Sequence, residues 1–149
     1  MSEEIAQRAL AIALQSPAPL IKIEFQGGEP LLNFPLIAKI VEAANIEGPR
    51  AGKELQFVIA SNLALLNDDI LAFCKANGIL LSTSLDGPAD LHNKNRPRPG
   101  GNSYELAVKG IKRAQDVLGK DRVGALMTTT ERSLGRAEEI IDEYLTLGL

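Results

Sequence analysis

The periodicities along this sequence predict an α/β chain with a parallel sheet and outer helices, and more narrowly part of a TIM-type (β/α) barrel. The first observation is alternation: short strand-like runs and helix-period segments follow one another in the order α-βα-βα-βα-βα. Strands separated by helices at this spacing must run parallel, with right-handed crossovers, in an open doubly wound sheet or a barrel. The second is a polar strand face. Lys22, Glu24 and Gln26 share one side of the first strand, and Ser82, Ser84 and Asp86 one side of the third. A parallel strand covered on both faces reads as a nearly continuous apolar run. Polar faces therefore point to a wet or ligand-filled lumen, the alternative being a sheet with one solvated side.

The elements follow in order. Ile5, Ala6, Ala9, Leu10, Ala13 and Leu14 form a helical stripe over 3–15, and Ser16-Pro17-Ala18-Pro19 ends it because proline cannot continue the ladder. Ile21, Ile23 and Phe25 alternate with polar residues up to the pair Gly27-Gly28, which reads as a strand entering a tight loop. A helix is predicted over 33–44, a strand over 55–61, a helix over 67–77 stopped by Gly78, and a strand over 79–85. Residues 86–102, rich in Pro, Gly, Asn and Arg, read as a long loop. Ser103 is the predicted cap of a helix reaching Leu118, 122–129 the next strand, and Ser133 the cap of a last amphipathic helix.

Composition narrows the function. With 149 residues, 45% of them hydrophobic, the chain suits one packed domain or part of one. Sixteen basic against nineteen acidic residues, a net charge of −3, argue against a nucleic-acid partner. One cysteine, Cys74, excludes an internal disulfide and cannot alone make a zinc or iron–sulfur site; a reduced, cytoplasmic setting fits. No apolar run approaches the roughly 20 residues that span a bilayer, and the acidic start is unlike a signal peptide, so no membrane association is expected.

In parallel α/β architectures ligands sit beyond the carboxyl ends of the strands. Three of those ends are polar here: Gln26-Gly27-Gly28-Glu29-Pro30, Ser61-Asn62, and Ser84-Leu85-Asp86-Gly87. Glycines let a ligand approach the backbone, and a carboxylate beside them suits a cationic amine. Taken alone, the first of these also reads as a tight turn with Pro30 opening the following helix.

Together, and in this order, Gly27-Gly28-Glu29-Pro30-Leu31, Ser61-Asn62 and Ser84-Leu85-Asp86-Gly87-Pro88 with His92 and Arg96 resemble the radical S-adenosylmethionine (SAM) superfamily. The resemblance is to its peptide- and protein-modifying branch, often carrying a SPASM extension, as in the anaerobic sulfatase-maturating enzymes. Within that branch the run 85–104 looks most like the maturases of His-Xaa-Ser repeat systems. The resemblance implies a radical SAM barrel, and SAM and a [4Fe–4S] cluster in the parent protein. It further implies a post-translational maturase that cleaves SAM reductively and abstracts hydrogen from a peptide or small-protein substrate. It also implies site roles. Backbone carbonyls of Gly27-Gly28-Glu29, with the Glu29 carboxylate, would accept from SAM's amino group, Ser84 would meet its carboxylate, and Asn62 and Asp86 would face the ribose or substrate cavity.

The sequence departs from that family in one respect. A Cys-x-x-x-Cys-x-x-Cys loop, needed to hold the cluster, is missing, and Cys74 lies on a predicted outer helix as a small buried residue rather than a metal ligand. The expectation is that residues 1–149 are an internal fragment of a radical SAM core, inactive alone, whose open sheet edges could pair two copies. His92 reads as a loop-fixing hydrogen bonder or a catalytic base. Lys94, Arg96 and Arg98 read as solvated charges or a grip on a peptide. Two other function classes stay open: a non-catalytic nucleotide- or peptide-binding module, and a hydrolase using Glu29 and Asp86 as paired carboxylates.

Overall fold

The computed structural model describes Met1–Leu149 throughout. Helix α1 (Glu3–Ala13) starts where the Ser2 side chain accepts from the Ile5 amide, with Glu3 and Glu4 in its first turn favoured by the helix dipole. Strand β1 (Leu20–Phe25) leads through a 3-10 turn (Pro30–Asn33) into α2 (Phe34–Arg50), then β2 (Glu54–Ser61). Helix α3 (Asp68–Ala76) is capped by Asn67, which accepts from the Ile70 amide at 2.9 Å. Gly78, at φ +64°, turns the chain out of it into β3 (Leu80–Ser84). Helices α4 (Ala89–Asn95) and α5 (Ser103–Leu118), strand β4 (Val123–Leu126) and α6 (Ala137–Thr146) complete the chain.

The four strands form one parallel sheet in the order β1-β2-β3-β4. Register aligns Ile23 with Phe57, Ile59 with Leu81, and Leu81 with Val123. Side chains alternate along a strand, so this register gathers most of the large apolar residues onto the helix-covered face, while Val58, Leu80 and Leu126 face the other side. There Ile59, Leu81 and Leu85 meet Val41, Leu71 and Ile111, all at or near zero exposure. Each such side chain contributes about 1.5–3 kcal/mol through burial. The opposite face lines a hollow of about 540 Å³ bounded by Lys22, Glu24, Gln26, Gln56, Ser82 and Gly124. The predicted polar lumen is thus present, and the fold is the predicted partial barrel.

Five local expectations need correction. Helix α2 does not end at Ala44 but runs to Arg50, because Val41, Ala44 and Gly48 continue one buried stripe. Gly48 lies so close to β2 that a Cβ there would stand 2.6 Å from Leu55 Cδ1. The segment 86–102 is not all loop: it contains α4, whose polar sequence hides a single turn face anchored by Leu91 and His92. Ser103 does not cap α5. Asn93 of α4 does the capping from outside, its Oδ1 accepting from the Tyr104 amide (2.9 Å) and the Ser103 hydroxyl (2.8 Å). Ser133 does not cap α6 either; its hydroxyl bonds the Thr130 amide and carbonyl, closing a separate turn before Arg136 opens the helix. Strand β4 stops at Leu126 instead of Thr129 because Thr128 leaves the ladder for another partner, described below.

Cys74 sits in the core as expected, fully enclosed, with its thiol pushed up to about 11 by burial. The native protein at pH 8 is expected to resist a thiol reagent such as Ellman's, reacting stoichiometrically once urea unfolds it. Rapid reaction of the folded protein would show that α3 does not stay packed.

Candidate functional site at the strand ends

The carboxyl end of β1 delivers Gln26-Gly27-Gly28-Glu29. Gly27 has φ +148°, and a Cβ built on either glycine meets nothing within 4 Å, so the turn borders open space. The carbonyls of Gln26, Gly27 and Gly28 accept no hydrogen bond from the backbone. Glu29 turns sideways. Its Oε1 accepts from the Ser61 hydroxyl (2.7 Å) and the Leu31 amide (3.1 Å), and its Oε2 from the Asn62 amide (3.0 Å). Glu29 therefore caps the 3-10 turn that begins at Pro30 and pins it to the end of β2. A carboxylate has about four acceptor positions, and three are filled inside the protein.

At the end of β2, Ser61 is buried and Asn62 is exposed. The Asn62 side chain accepts from the Ala64 amide (2.8 Å), closing a local turn. Ser84, at the end of β3, is half-buried on the lumen side of the strand. Two residues on, Asp86 is fully buried, and its carboxylate takes a two-pronged contact from Arg96, Nε at 2.8 Å and Nη2 at 3.1 Å, plus the Thr128 amide at 2.9 Å. The Asp86 amide in turn donates to His92 Nδ1 (3.2 Å).

The structure thus brings Gly27, Gly28, Glu29, Pro30, Asn62, Ser84 and Asp86 to one rim of the sheet, but it uses them differently. The Glu29 and Asp86 carboxylates each accept three hydrogen bonds from protein donors, which ties both up as structural anchors rather than as halves of a hydrolytic pair. His92 is the loop-fixing hydrogen bonder. Sequence reasoning missed Arg96 as the partner of Asp86, Thr128 as its second donor, and Ser61 as the partner of Glu29. The i, i+4 spacing of His92 and Arg96 was the available signal, and it speaks only once 89–95 is known to be helical.

Burial holds His92 below its ordinary 6.5; Asp86 pulls the other way and Arg96 adds to the lowering. A neutral imidazole is also what the contact requires, since Nδ1 must accept. No group of three or more His, Cys, Asp or Glu is placed to hold a metal ion. The chain therefore offers no ligand set for an iron–sulfur cluster. No helix is long and apolar enough to cross a membrane.

A parallel sheet with outer helices, a polar lumen and an open glycine turn at the strand ends defines a partial (β/α) barrel with a candidate ligand site at its rim. The chain belongs to the radical SAM superfamily, whose model matches residues 2–144. Members of that family use SAM and a [4Fe–4S] cluster. The chain is 32% identical over 132 residues to the uncharacterized protein MJ0907 of Methanocaldococcus jannaschii, a match covering 87% of this chain and 44% of that one. In fold it is similar to native anSMEcpe with bound AdoMet, with a TM-score of 0.75 and 21% identity over 98% of this chain and 40% of that one. It is also similar to the same protein with bound AdoMet and a Cp18Cys peptide, with a TM-score of 0.77 at the same identity and coverage. The chain spans less than half the length of each of these proteins.

Two outcomes follow for the Asp86 cluster. Arg96→Ala leaves a buried carboxylate facing only the Thr128 amide and is expected to cost about 3 kcal/mol in urea unfolding at pH 7; a loss under about 0.5 kcal/mol would mean the pair is solvated. For His92, the unfolded chain takes up a proton near 6.5 while the folded protein resists it. Stability is therefore full above that pH and lost as pH falls through and below it. The urea midpoint of the wild type should decline from pH 7 to pH 5 more steeply than that of His92→Gln, and parallel profiles would sink the assignment.

Proposed function

We propose that this chain forms the SAM-binding wall of a radical SAM core whose parent protein modifies a peptide or small protein. The observation that carries the proposal is the Gly27-Gly28 turn, where free carbonyls border open space at the end of a strand. The residues fit the methionine end of SAM: carbonyls of Gly27-Gly28-Glu29 suit its ammonium group, and the Ser84 hydroxyl suits its carboxylate. Glu29 and Pro30 shape the turn from behind. Asn62 would face the ribose or substrate side, while Asp86, fully enclosed, would support that rim from behind by holding Arg96.

When bound and reductively cleaved, SAM supplies radical chemistry for abstracting hydrogen from a substrate. The protein's part is to orient it and keep water away. Family membership supports the SAM reading, and the fold shared with a protein bound to AdoMet and peptide supports a peptide partner. The run 85–104 supports the finer reading of a SPASM-type maturase similar to those of His-Xaa-Ser systems. With no ligand set for the cluster, these residues are not expected to turn SAM over alone. That same fact favours a second reading, a cluster-independent nucleotide- or peptide-binding module.

Calorimetric titration with S-adenosylhomocysteine tests the site without the cluster. Saturable binding is expected, and Gly28→Leu, which meets no protein atom at its Cβ, is expected to abolish it with the thermal midpoint nearly unchanged. Equal binding by both proteins would place the ligand elsewhere. Binding of adenosine or a peptide, but not of S-adenosylhomocysteine, would favour the module.

A further inference from the structure

Just beyond the glycine turn, the end of β2 holds the one non-glycine residue with a left-handed backbone: Leu63, at φ +60°. That conformation costs a residue with a side chain about 1–2 kcal/mol and persists only where the surroundings enforce it. Three contacts enforce it here. The Leu63 amide donates to Ser61 Oγ at 2.9 Å, the next amide is tied to Asn62 Oδ1, and the Leu63 side chain is buried against Gly110 of α5. The fit at α5 is close: a Cβ on Gly110 would stand 2.8 Å from Leu63 Cβ and 3.3 Å from its Cδ1.

The Ser61 hydroxyl links this turn to the ligand side. It accepts from the Leu63 amide and has one proton to give, which goes to Glu29 Oε1. The Asn62 amide, next along the chain, donates to Glu29 Oε2. Glu29 in turn caps the 3-10 turn through Leu31 and so fixes the Gly27-Gly28 backbone. A continuous path of packing and hydrogen bonds thus runs from α5 to the open carbonyls.

We propose that Leu63, wedged against Gly110, is a positioning residue for ligand binding: its left-handed turn aims Ser61 and Asn62 at Glu29, and Glu29 holds the Gly27-Gly28 carbonyls in place. The identity of the ligand rests on the SAM reading above; the mechanical coupling does not. Glu29 therefore acts through the turn it shapes rather than by touching the ligand with its carboxylate.

The test is Gly110→Ala, far from the ligand, read in two ways on the intact protein. Amide hydrogen exchange without ligand should speed up about tenfold at Leu31 and Asn62, the two amides that Glu29 holds, and S-adenosylhomocysteine affinity should fall about tenfold. A lowered thermal midpoint with unchanged exchange at Leu31 and Asn62 would reduce Leu63 to ordinary packing and overturn the proposal. Should Gly110→Ala not fold, Leu63→Gly keeps the backbone conformation but loses the wedge; faster exchange at the same two amides supports the coupling and unchanged exchange refutes it. If the wild type does not bind S-adenosylhomocysteine, the SAM reading fails while the exchange data still decide the coupling.

Discussion

The rim of this domain depends on two carboxylates that reach one strand over. Where a parallel ladder ends, the amides beyond it lose their partners, and an amide left unpaired there costs free energy. Asp86, at the end of β3, accepts from the Thr128 amide just past the end of β4. Glu29, beyond the end of β1, accepts from the Asn62 amide just past the end of β2. Each carboxylate thereby takes over where the ladder stops and fixes the chain at the place a ligand would approach.

Charge decides what else each carboxylate must hold. Asp86 is fully enclosed, so an ion there is tolerable only with a counter-charge and several donors; Arg96 supplies the charge and two of the hydrogen bonds. To bring Arg96 there the chain folds α4 out of a segment that reads as loop, and His92 on that helix closes the arrangement by accepting the Asp86 amide. Glu29 is partly exposed and carries no cation; two amides and a hydroxyl satisfy it. The two acids that invite a reading as catalytic partners are instead structural anchors of adjoining turns. What they leave open to a ligand is backbone, the glycine carbonyls, together with the Ser84 hydroxyl.

How much of this was legible differs by level. The four strands and most helices were, because period-2 and period-3.6 patterns reflect which side of each element is dry. The polar lumen was legible from Lys22, Glu24 and Gln26 for the same reason, and the motif residues at the strand ends were legible as types in order. Element ends were less so. β4 ends early because Thr128 has a stronger acceptor than the ladder, and α5 begins where Asn93, from another helix, supplies the cap that Ser103 was expected to supply. A short polar helix such as α4 has too little apolar periodicity to register.

By itself, the sequence determined the order of elements, the parallel sheet, the dry and wet faces of its strands, and the set of polar residues gathered at their carboxyl ends. These are consequences of local periodicity and chain direction. Only the tertiary structure decided which way each polar side chain faces: that Glu29 points to Ser61 and Asn62, that Asp86 is sealed by Arg96, and that Leu63 is held left-handed under Gly110. The physical reason is that a carboxylate's partner is chosen by proximity and desolvation across 10 to 42 residues of chain. No spacing rule in the sequence encodes that choice.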